Sequence, residues 1–334
     1  MNRYSFKRLY RGLIYILLPL SLLCCFNTGC VNTKKAKNGS IYAFSTYIDI
    51  TLHYEEEQNI NEIYQNVINI FNEINKLTNR FEEYPDVNNV YTINNSSDFV
   101  SVDQKLLDVI LLSLELKEET NGYFEPLIGN LSVLYKNIIQ NEQLDSSLIP
   151  SENLIKSELD NIKNSEILVK ENQIKIDGEA SLDLGAIAKG YALLKVKEYL
   201  ESVNITHYII DAGMSSIIAG EKPINEYYTV GMYNVNETIE IKNKCLGTSS
   251  ISPQKVVYEN QLYHHIVNPK TGKPDHQFDT VYIIGDNPAL IDALTTAFIS
   301  MTQEEIADLV FKYQEKGIKI EYYLYNDNKL VYKG

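Results

Sequence analysis

An apolar stretch near the C-terminus carries an aspartate that is unusual for a hydrophobic helix. Asp292 lies between Ile291 and Ala293 in a run that starts at Pro288, and Thr296 follows it by about one helical turn. Residues four apart share a helix face, so the carboxylate and the hydroxyl point the same way. Burying a carboxylate is costly unless something pairs with it. The pattern predicts half of an oxygen-ligand site for Mg²⁺ or Ca²⁺. The alternative is a solvent-facing Asp292, with Thr296 bonded to its own helix.

A second candidate segment joins a predicted strand to a predicted helix and has the sequence DLGAIAKGYA over residues 183–192. Asp183 and Gly185 stand at the junction, and Lys189 falls in the first turn of the helix. Exposed N–H groups and the positive end of a helix dipole favour an anion at such a junction. The segment matches neither the Walker A pattern nor GxGxxG. It therefore predicts a turn that contacts an anion, without identifying the anion.

The third segment places two adjacent histidines, His264 and His265, before the sequence NPKTGKP. Pro and Gly at this spacing predict a tight loop with His265 at its edge. Zinc is disfavoured, because adjacent histidines point apart on a strand and the spacing of a zinc motif is missing. His265 is thus a candidate for proton transfer or a structural histidine of the loop.

Taken together and in this order, the three segments resemble the ApbE flavin transferases. The family patterns are DLGGIAKGYA, a histidine followed by I-[IL]-D-P-x-T-G-x-P, and ADALSTA. The corresponding residues in this chain are 183–192, 265–274 and 291–297. Residues 44–47 also resemble a strand that opens with a Gly-Thr pair, and residues 120–126 resemble the turn T-x-G-A-F-D-P. The resemblance covers essentially the whole chain beyond its N-terminal segment.

The resemblance implies an α+β fold: a single ApbE-like catalytic domain with mixed or antiparallel sheets, packed helices and an active cleft between two halves. It implies FAD as substrate and Mg²⁺ held by Asp292, Thr296 and main-chain oxygens of Ala186 and Thr295. Either His265 or Asp183 would accept the proton of an incoming hydroxyl, and the choice between them stays open. The implied FAD-contacting residues are Phe44, Phe81, Tyr123, Phe124, Glu125, Asp183, Lys189, His265, Ile266 and Thr271.

The implied reaction transfers FMN from FAD to a Thr or Ser hydroxyl of an exported or membrane redox protein and releases AMP. A Mg²⁺-dependent FAD pyrophosphatase, in which water replaces the hydroxyl, is the nearest alternative. A flavin-binding or solute-binding lipoprotein without catalysis is another. Departures from the family pattern are mostly on the flavin side, where Phe81 replaces Tyr and where Glu125, Asn268 and Leu194 each replace Asp. Residues 212–215 replace a Gly-Gly-Asn/Glu turn.

Hydrophobic periodicity predicts the elements that must position these segments. Apolar residues at three-to-four spacing predict helices over 59–78, 103–118, 186–200 and 288–302. Segments rich in β-branched and aromatic residues predict a strand over 41–54, a hairpin over 167–177 that turns at Glu171-Asn172, strands over 207–211, 227–232 and 280–284, and a strand pair over 318–334. No repeat or Pro/Gly-rich linker divides the chain, so one catalytic domain over 41–334 is predicted.

The N-terminus predicts export. Arg3, Lys7, Arg8 and Arg11 precede a short apolar run, and Gly29-Cys30 follows that run. This arrangement resembles a bacterial lipoprotein signal over 1–29, with lipid on Cys30 and a polar linker over 30–40. An uncleaved anchor or a free secreted protein is the alternative. The predicted location is extracytoplasmic, lipid-anchored to the cell membrane.

Charge and cysteine content limit the partners further. The formal net charge is −14, and it becomes −18 without residues 1–29, which contain four basic and no acidic residues. So acidic a protein repels phosphate backbones and anionic lipid, which argues against nucleic acid as a partner. A polyphosphate ligand then needs a cation or N–H groups. Outside the signal and Cys30, the sequence contains one cysteine, Cys245, so no intramolecular disulfide is predicted.

Overall fold

A computed structural model describes residues 34–141, 143–224, 226–233 and 235–334. The predicted signal over 1–29 and the predicted lipid site Cys30 lie outside these ranges. Among the helices within them, none combines the length and the apolar character that a membrane span requires.

An eight-stranded sheet forms the centre of the described chain. In spatial order its strands are β1 (Lys35–Ala43), β2 (Thr46–Tyr54), β6 (His207–Ala212), β7 (Ser216–Ala219), β10 (Lys244–Ser250), β13 (Thr280–Gly285), β14 (Glu321–Asn326) and β15 (Lys329–Lys333). Every neighbouring pair in this sheet is antiparallel. Consecutive strands can therefore be joined by short turns, which gather at the ends of the sheet.

Three small antiparallel sheets and a set of helices complete the described fold. The small sheets comprise β3 (Val100–Ser101), β5 (Gln173–Asp177) and β4 (Glu166–Lys170); β8 (Tyr228–Gly231) and β9 (Thr238–Ile241); and β11 (Lys255–Tyr258) and β12 (Gln261–His264). The α-helices are α1 (Ile60–Thr78), α2 (Val90–Asn94), α3 (Gln104–Glu119), α4 (Gly129–Gln140), α5 (Glu152–Lys163), α6 (Ala188–Ser202), α7 (Pro288–Ser300) and α8 (Gln303–Glu315), and a 3₁₀ turn covers Ser146–Leu148. Antiparallel sheets with packed helices confirm the predicted α+β class.

The helix α7 lies in the middle of the main core. It packs on β10 and β13 from one side and on α6 from the other. A helix enclosed in this way can be apolar almost all round, and α7 is. The central strands are buried on both faces, because Val281 and Ile283 point into this core while Tyr282 points into a second core under β8 and β9.

The predicted elements that carry the candidate residues are present. The predicted helices correspond to α1, α3, α6 and α7, the predicted hairpin corresponds to β4 and β5, and the later strands correspond to β6, β8, β13, β14 and β15. The elements that sequence reasoning missed are α2, α4, α5, α8, β3, β7 and β9 to β12. α8 had a readable start signal, since Thr302 and Glu305 form a capping box.

Two predictions at the N-terminal end of the domain were wrong. The single strand expected over 41–54 is the hairpin of β1 and β2, which turns at Phe44 and Ser45 with φ values of 51° and 59°. Alternation alone does not reveal a two-residue turn without glycine. Residues 35–40, expected as linker, form part of β1. β1 is an edge strand paired only with β2, so its polar residues are tolerated.

Gly190 allows α6 and α7 to approach closely, which gives a stability prediction. A Cβ at this position would lie 2.5 Å from the Cβ of Asp292 and closer still to the carbonyl oxygen of Pro288. We expect Gly190→Ala to lower the free energy of unfolding by about 1–3 kcal/mol through overpacking. The measurement is a denaturant titration. The control is Gly231→Ala, where the new Cβ meets no atom within 4 Å. A Gly190→Ala protein as stable as the wild type would contradict the close contact.

Candidate functional site

The Asp292 carboxylate lies at the contact between α7, α6 and β7. Its side chain is buried, with 5% of the residue exposed. One oxygen accepts a hydrogen bond of 2.9 Å from the N–H of Gly190, and the other accepts one of 2.7 Å from the hydroxyl of Ser216. The carboxylate therefore faces the start of α6, and a solvent-facing Asp292 is ruled out.

No cationic side chain compensates this buried carboxylate. Within the described residues, no Lys, Arg or His forms an ion pair with Asp292. Its partners are one amide and one hydroxyl, both neutral, and each carboxylate oxygen keeps a second lone pair. Buried charges in proteins are normally paired or coordinate a metal. The arrangement therefore fits a site completed by a cation.

Three further hydroxyl groups lie on the turn of α7 that follows Asp292 and on the neighbouring strand β10. The Ser249 hydroxyl lies 2.9 Å from that of Thr295 and 3.3 Å from that of Thr296. The Thr295 hydroxyl also donates to the carbonyl oxygen of Asp292 at 2.8 Å. Together these groups form an oxygen-rich set suited to a hard cation. The described ranges contain no group of three or more His, Cys, Asp or Glu that could hold a metal.

The segment before α6 forms a turn fixed by Asp183. One carboxylate oxygen of Asp183 accepts the N–H of Gly185 at 2.8 Å, and its own N–H donates to the carbonyl of Pro126 at 2.8 Å. Ala186 lies in this turn, half-buried, before the helix begins at Ala188. Lys189 is half-buried in the first turn of α6, next to the Gly190 N–H that contacts Asp292. The first and second candidate segments are thus in direct contact.

Arg80 is a residue of this site that sequence reasoning missed. Its guanidinium donates to Asp183 at 2.8 Å and to the Ser181 hydroxyl at 3.0 Å, and its side chain is 10% exposed. The residue before Asp183 is held as well, because the Asn94 side chain donates to the C=O of Leu182 at 3.0 Å and accepts its N–H at 2.7 Å. The only sequence signal was an arginine next to Phe81, which does not indicate a partner about 100 residues away.

His265 lies in the loop after β12 and is coupled to α6. Its Nδ1 lies 3.4 Å from the carbonyl oxygen of Gln254, so this nitrogen can donate and leave Nε2 as the acceptor. Burial lowers the pKa of His265 and the positive charge of Lys189 lowers it further, against the opposing effect of the Gln254 carbonyl. An imidazole in this environment is neutral at neutral pH and able to accept a proton.

The NPKTGKP loop also contacts the turn over 120–126. The Lys270 ammonium donates to the carbonyl oxygen of Asn121 and lies 5.3 Å from the ring centre of Tyr123. The Tyr123 hydroxyl donates to Glu305 at 3.0 Å. Thr271 is exposed at the tip of this loop, whereas Ile266 is buried in the main core. The loop and the turn thus form one continuous surface.

The other predicted flavin-contacting residues have different environments. Phe44 occupies the hairpin turn of β1 and β2, where its N–H donates to Asn75 at 2.8 Å. Phe81 is 56% exposed, with the Lys136 ammonium 4.0 Å above its ring. Phe124 is buried in the main core. Glu125 is buried, pairs with Lys117 at 2.8 Å and accepts the N–H of Leu127 at 2.9 Å. Phe81 is the aromatic face most available to a ligand; the contacts of the other three support the fold.

The turns of the large sheet bring much of this set to one end. The side chain of Thr46, after the hairpin turn, packs on Gly213 in the turn between β6 and β7. The N–H of Thr248, in β10, donates to the carbonyl of Ser215 at 2.7 Å. Hollows of about 350 and 230 Å³ lie beside Lys76 and beside Lys117, away from Asp292. The candidate site is thus defined by its polar groups at this sheet end and not by either hollow.

Comparisons with known proteins agree with this arrangement. The profile of the ApbE family matches residues 44–320. The chain is similar to the FAD:protein FMN transferase of Chlamydia muridarum, with 23% identity over 260 residues, 76% of this chain and 78% of the relative. It is also similar to that of Haemophilus influenzae, with 23% identity over 98% of this chain and 96% of the relative.

Solved structures share the fold. The ApbE protein of Thermotoga maritima superposes with a TM-score of 0.74 at 24% identity, covering 87% of this chain and 94% of that one. The flavin transferase ApbE from Vibrio cholerae gives 0.72 at 17% identity, covering 90% and 97%. Because the profile of the family spans residues 44–320, most of the sequence, this chain belongs to the ApbE family.

Proposed function

We propose that this protein is a Mg²⁺-dependent FAD:protein FMN transferase. The observation that carries the proposal is the buried Asp292 carboxylate, which has only neutral partners and stands against the first turn of α6 beside three hydroxyl groups. The names of the relatives, FAD:protein FMN transferase, support the same reaction. The acceptor would be a Thr or Ser hydroxyl of an exported or membrane redox protein, and AMP would be released.

The donor set fits a magnesium ion. Asp292, the Thr296 hydroxyl and main-chain oxygens of Ala186 and Thr295 would hold it, and these are the oxygen ligands that Mg²⁺ prefers. When bound, Mg²⁺ supplies Lewis-acid stabilisation of the charge on a pyrophosphate. The need for it follows from the net charge of the chain, −14, which leaves little positive charge for a polyphosphate.

The geometry favours His265 over Asp183 as the proton acceptor. Both oxygens of Asp183 already accept hydrogen bonds, one from the Arg80 guanidinium and one from Gly185, so this carboxylate holds the turn. His265 keeps Nε2 for an incoming hydroxyl. The hydroxyl oxygen attacks the FMN phosphorus, its proton passes to Nε2, and the bond to the bridging oxygen breaks as AMP leaves. Lys189 lies where it can contact the phosphates.

We also propose that the protein is exported and anchored to the membrane by lipid on Cys30. The basic residues, the apolar run and Gly29-Cys30 support this. Cys245 is buried in the core, where burial raises its thiol pKa to about 12, so it does not compete as a reactive thiol. In cell fractions we expect the wild-type chain in the membrane pellet and Cys30→Ala in the soluble fraction. Equal distribution of the two would contradict lipid anchoring.

The proposed reaction predicts two products, AMP and the flavinylated acceptor, which can be measured together with free FMN, the product of hydrolysis. The protein is incubated with FAD, MgCl₂ and a Thr-containing acceptor protein, and AMP, free FMN and the acceptor mass are followed. We expect AMP together with an acceptor heavier by one FMN less water, and neither product in excess EDTA. An acceptor whose Thr is replaced by Val is the control. AMP with free FMN alone would identify a pyrophosphatase, and the absence of all three products would leave a binding protein.

In the same assay, Asp292→Asn tests the carboxylate charge. Asparagine can keep both hydrogen bonds, accepting from Gly190 and donating to the Ser216 hydroxyl. We expect AMP release to fall about a thousandfold, which corresponds to ~4 kcal/mol of lost transition-state stabilisation. The matched control is Asp286→Asn, an exposed carboxylate that pairs with Lys244 at 2.6 Å. Unchanged turnover of Asp292→Asn would remove this residue from the metal site.

The environment of His265 predicts the pH dependence of transfer. Because its pKa is lowered, His265 stays unprotonated to a pH below the ordinary value of about 6.5, and transfer is lost only as pH falls through that lowered pKa. Lys189→Gln removes a nearby positive charge, so the acid limb of kcat/KM should move to higher pH. Lys195→Gln, on the same helix, is the control. An acid limb that does not move in Lys189→Gln would contradict the coupling of Lys189 to the base.

A further inference from the structure

A second histidine pair lies behind His265. The Nε2 of His264 is 3.0 Å from the Nδ1 of His276, and the two ring centres are 5.0 Å apart. The Nε2 of His276 in turn lies 3.3 Å from a carboxylate oxygen of Asp279. His264 is fully buried, with 0% exposed, whereas His276 and Asp279 reach the surface. These residues form a hydrogen-bonded chain from solvent to the end of β12, next to His265.

Hydrogen-bonding rules set the direction of this chain. The Asp279 carboxylate only accepts, so His276 carries its proton on Nε2 and accepts at Nδ1. His264 then donates from Nε2, and its Nδ1 is an unprotonated nitrogen. That nitrogen has no hydrogen-bond partner among the described residues. Because a carboxylate can only accept, Asp279 is the terminal acceptor of this hydrogen-bonded chain.

The hydrogen-bonded series of His264, His276 and Asp279 connects two parts of the candidate site. His264 is the last residue of β12, and His265 follows it immediately. Beyond His276, the N–H groups of Gln277 and Phe278 donate to the carbonyl oxygen of Ile299 at 2.7 and 3.2 Å. Ile299 belongs to α7, the helix of Asp292 and Thr296. The His264–His276 hydrogen bond therefore closes the loop over 265–275 at the point where its end is fixed to α7.

We propose that His264, His276 and Asp279 are positioning residues, which hold His265 at a fixed place relative to α7. The inference rests on the proposed function, because it assigns His265 a role in transfer. None of the three needs to touch a substrate. A base displaced by about 1 Å can lose about a hundredfold in rate, so a single hydrogen bond at this junction has a measurable effect.

Two variants of His276 separate this positioning role from a loss of stability. His276→Asn keeps an acceptor where Nδ1 stands, because Asn Oδ1 is the same number of bonds from the main chain. His276→Leu has similar bulk without an acceptor. We expect His276→Leu to lower kcat for FMN transfer about tenfold to a hundredfold with little change in the KM for FAD, and His276→Asn, which keeps the acceptor for His264 but loses the contact with Asp279, to restore part of it. The matched control is His207→Leu, at the far end of β6, which should leave kcat unchanged.

The outcomes distinguish the inference from the proposed function. A wild-type protein that transfers no FMN contradicts the proposed function itself. An active wild type with an equally active His276→Leu overturns the positioning role, and so do equally slow Asn and Leu variants. If His276→Leu yields no folded protein, Asp279→Asn is measured instead. It removes the charged acceptor at the surface end, and an unchanged kcat in that variant overturns the inference.

Discussion

The structure depends on one buried carboxylate placed where two helices and a strand meet. Asp292 accepts hydrogen bonds from Gly190 in α6 and Ser216 in β7 while it projects from α7. Burying an anion is unfavourable, and an amide and a hydroxyl offset only part of that cost. The close approach at Gly190 therefore sets both the packing of the helices and the position of an uncompensated negative charge. The same contact that stabilises the core creates the demand for a cation.

The cationic side chains around the site are largely engaged by the protein itself. Arg80 is bound to Asp183 and Ser181, Lys117 to Glu125, and Lys270 to the carbonyl of Asn121. Lys189 stands out, because it is half-buried beside the Asp292 contact and close enough to act on the pKa of His265. In the proposed reaction, a polyphosphate approaching this acidic chain would be met by Lys189, by N–H groups and by the proposed cation at Asp292. This arrangement would let an acidic protein bind a dinucleotide.

The sequence predicted those parts of the fold and of the site for which a single short segment contains all the information that is needed. The periodicity of α1 and α7 is visible within each helix, and a carboxylate among apolar residues indicates a special role for Asp292 without any structure. Arg80, Ser216 and Ser249 were not predicted, because their partners lie 103, 76 and 46 residues away. β10 was missed for a related reason: small polar residues replace the alternating apolar pattern in a strand that is buried on both sides. Register and helix packing decide these contacts, and neither is a local property.

The paired histidines show how a strand can serve the site and the core at once. Successive side chains on a strand point to opposite faces. His265 points toward Lys189 and the candidate site, so His264 must point away from it, into the protein. A buried imidazole at that position needs a partner for its N–H, and His276 provides one from the other end of the same loop. At the end of β12, a candidate base on one side of the backbone is thus accompanied, on the opposite side, by a polar group that can fix the loop. The proposed positioning of His265 relative to the helix of Asp292 rests on this opposite placement of adjacent side chains together with the cost of an unpaired buried N–H.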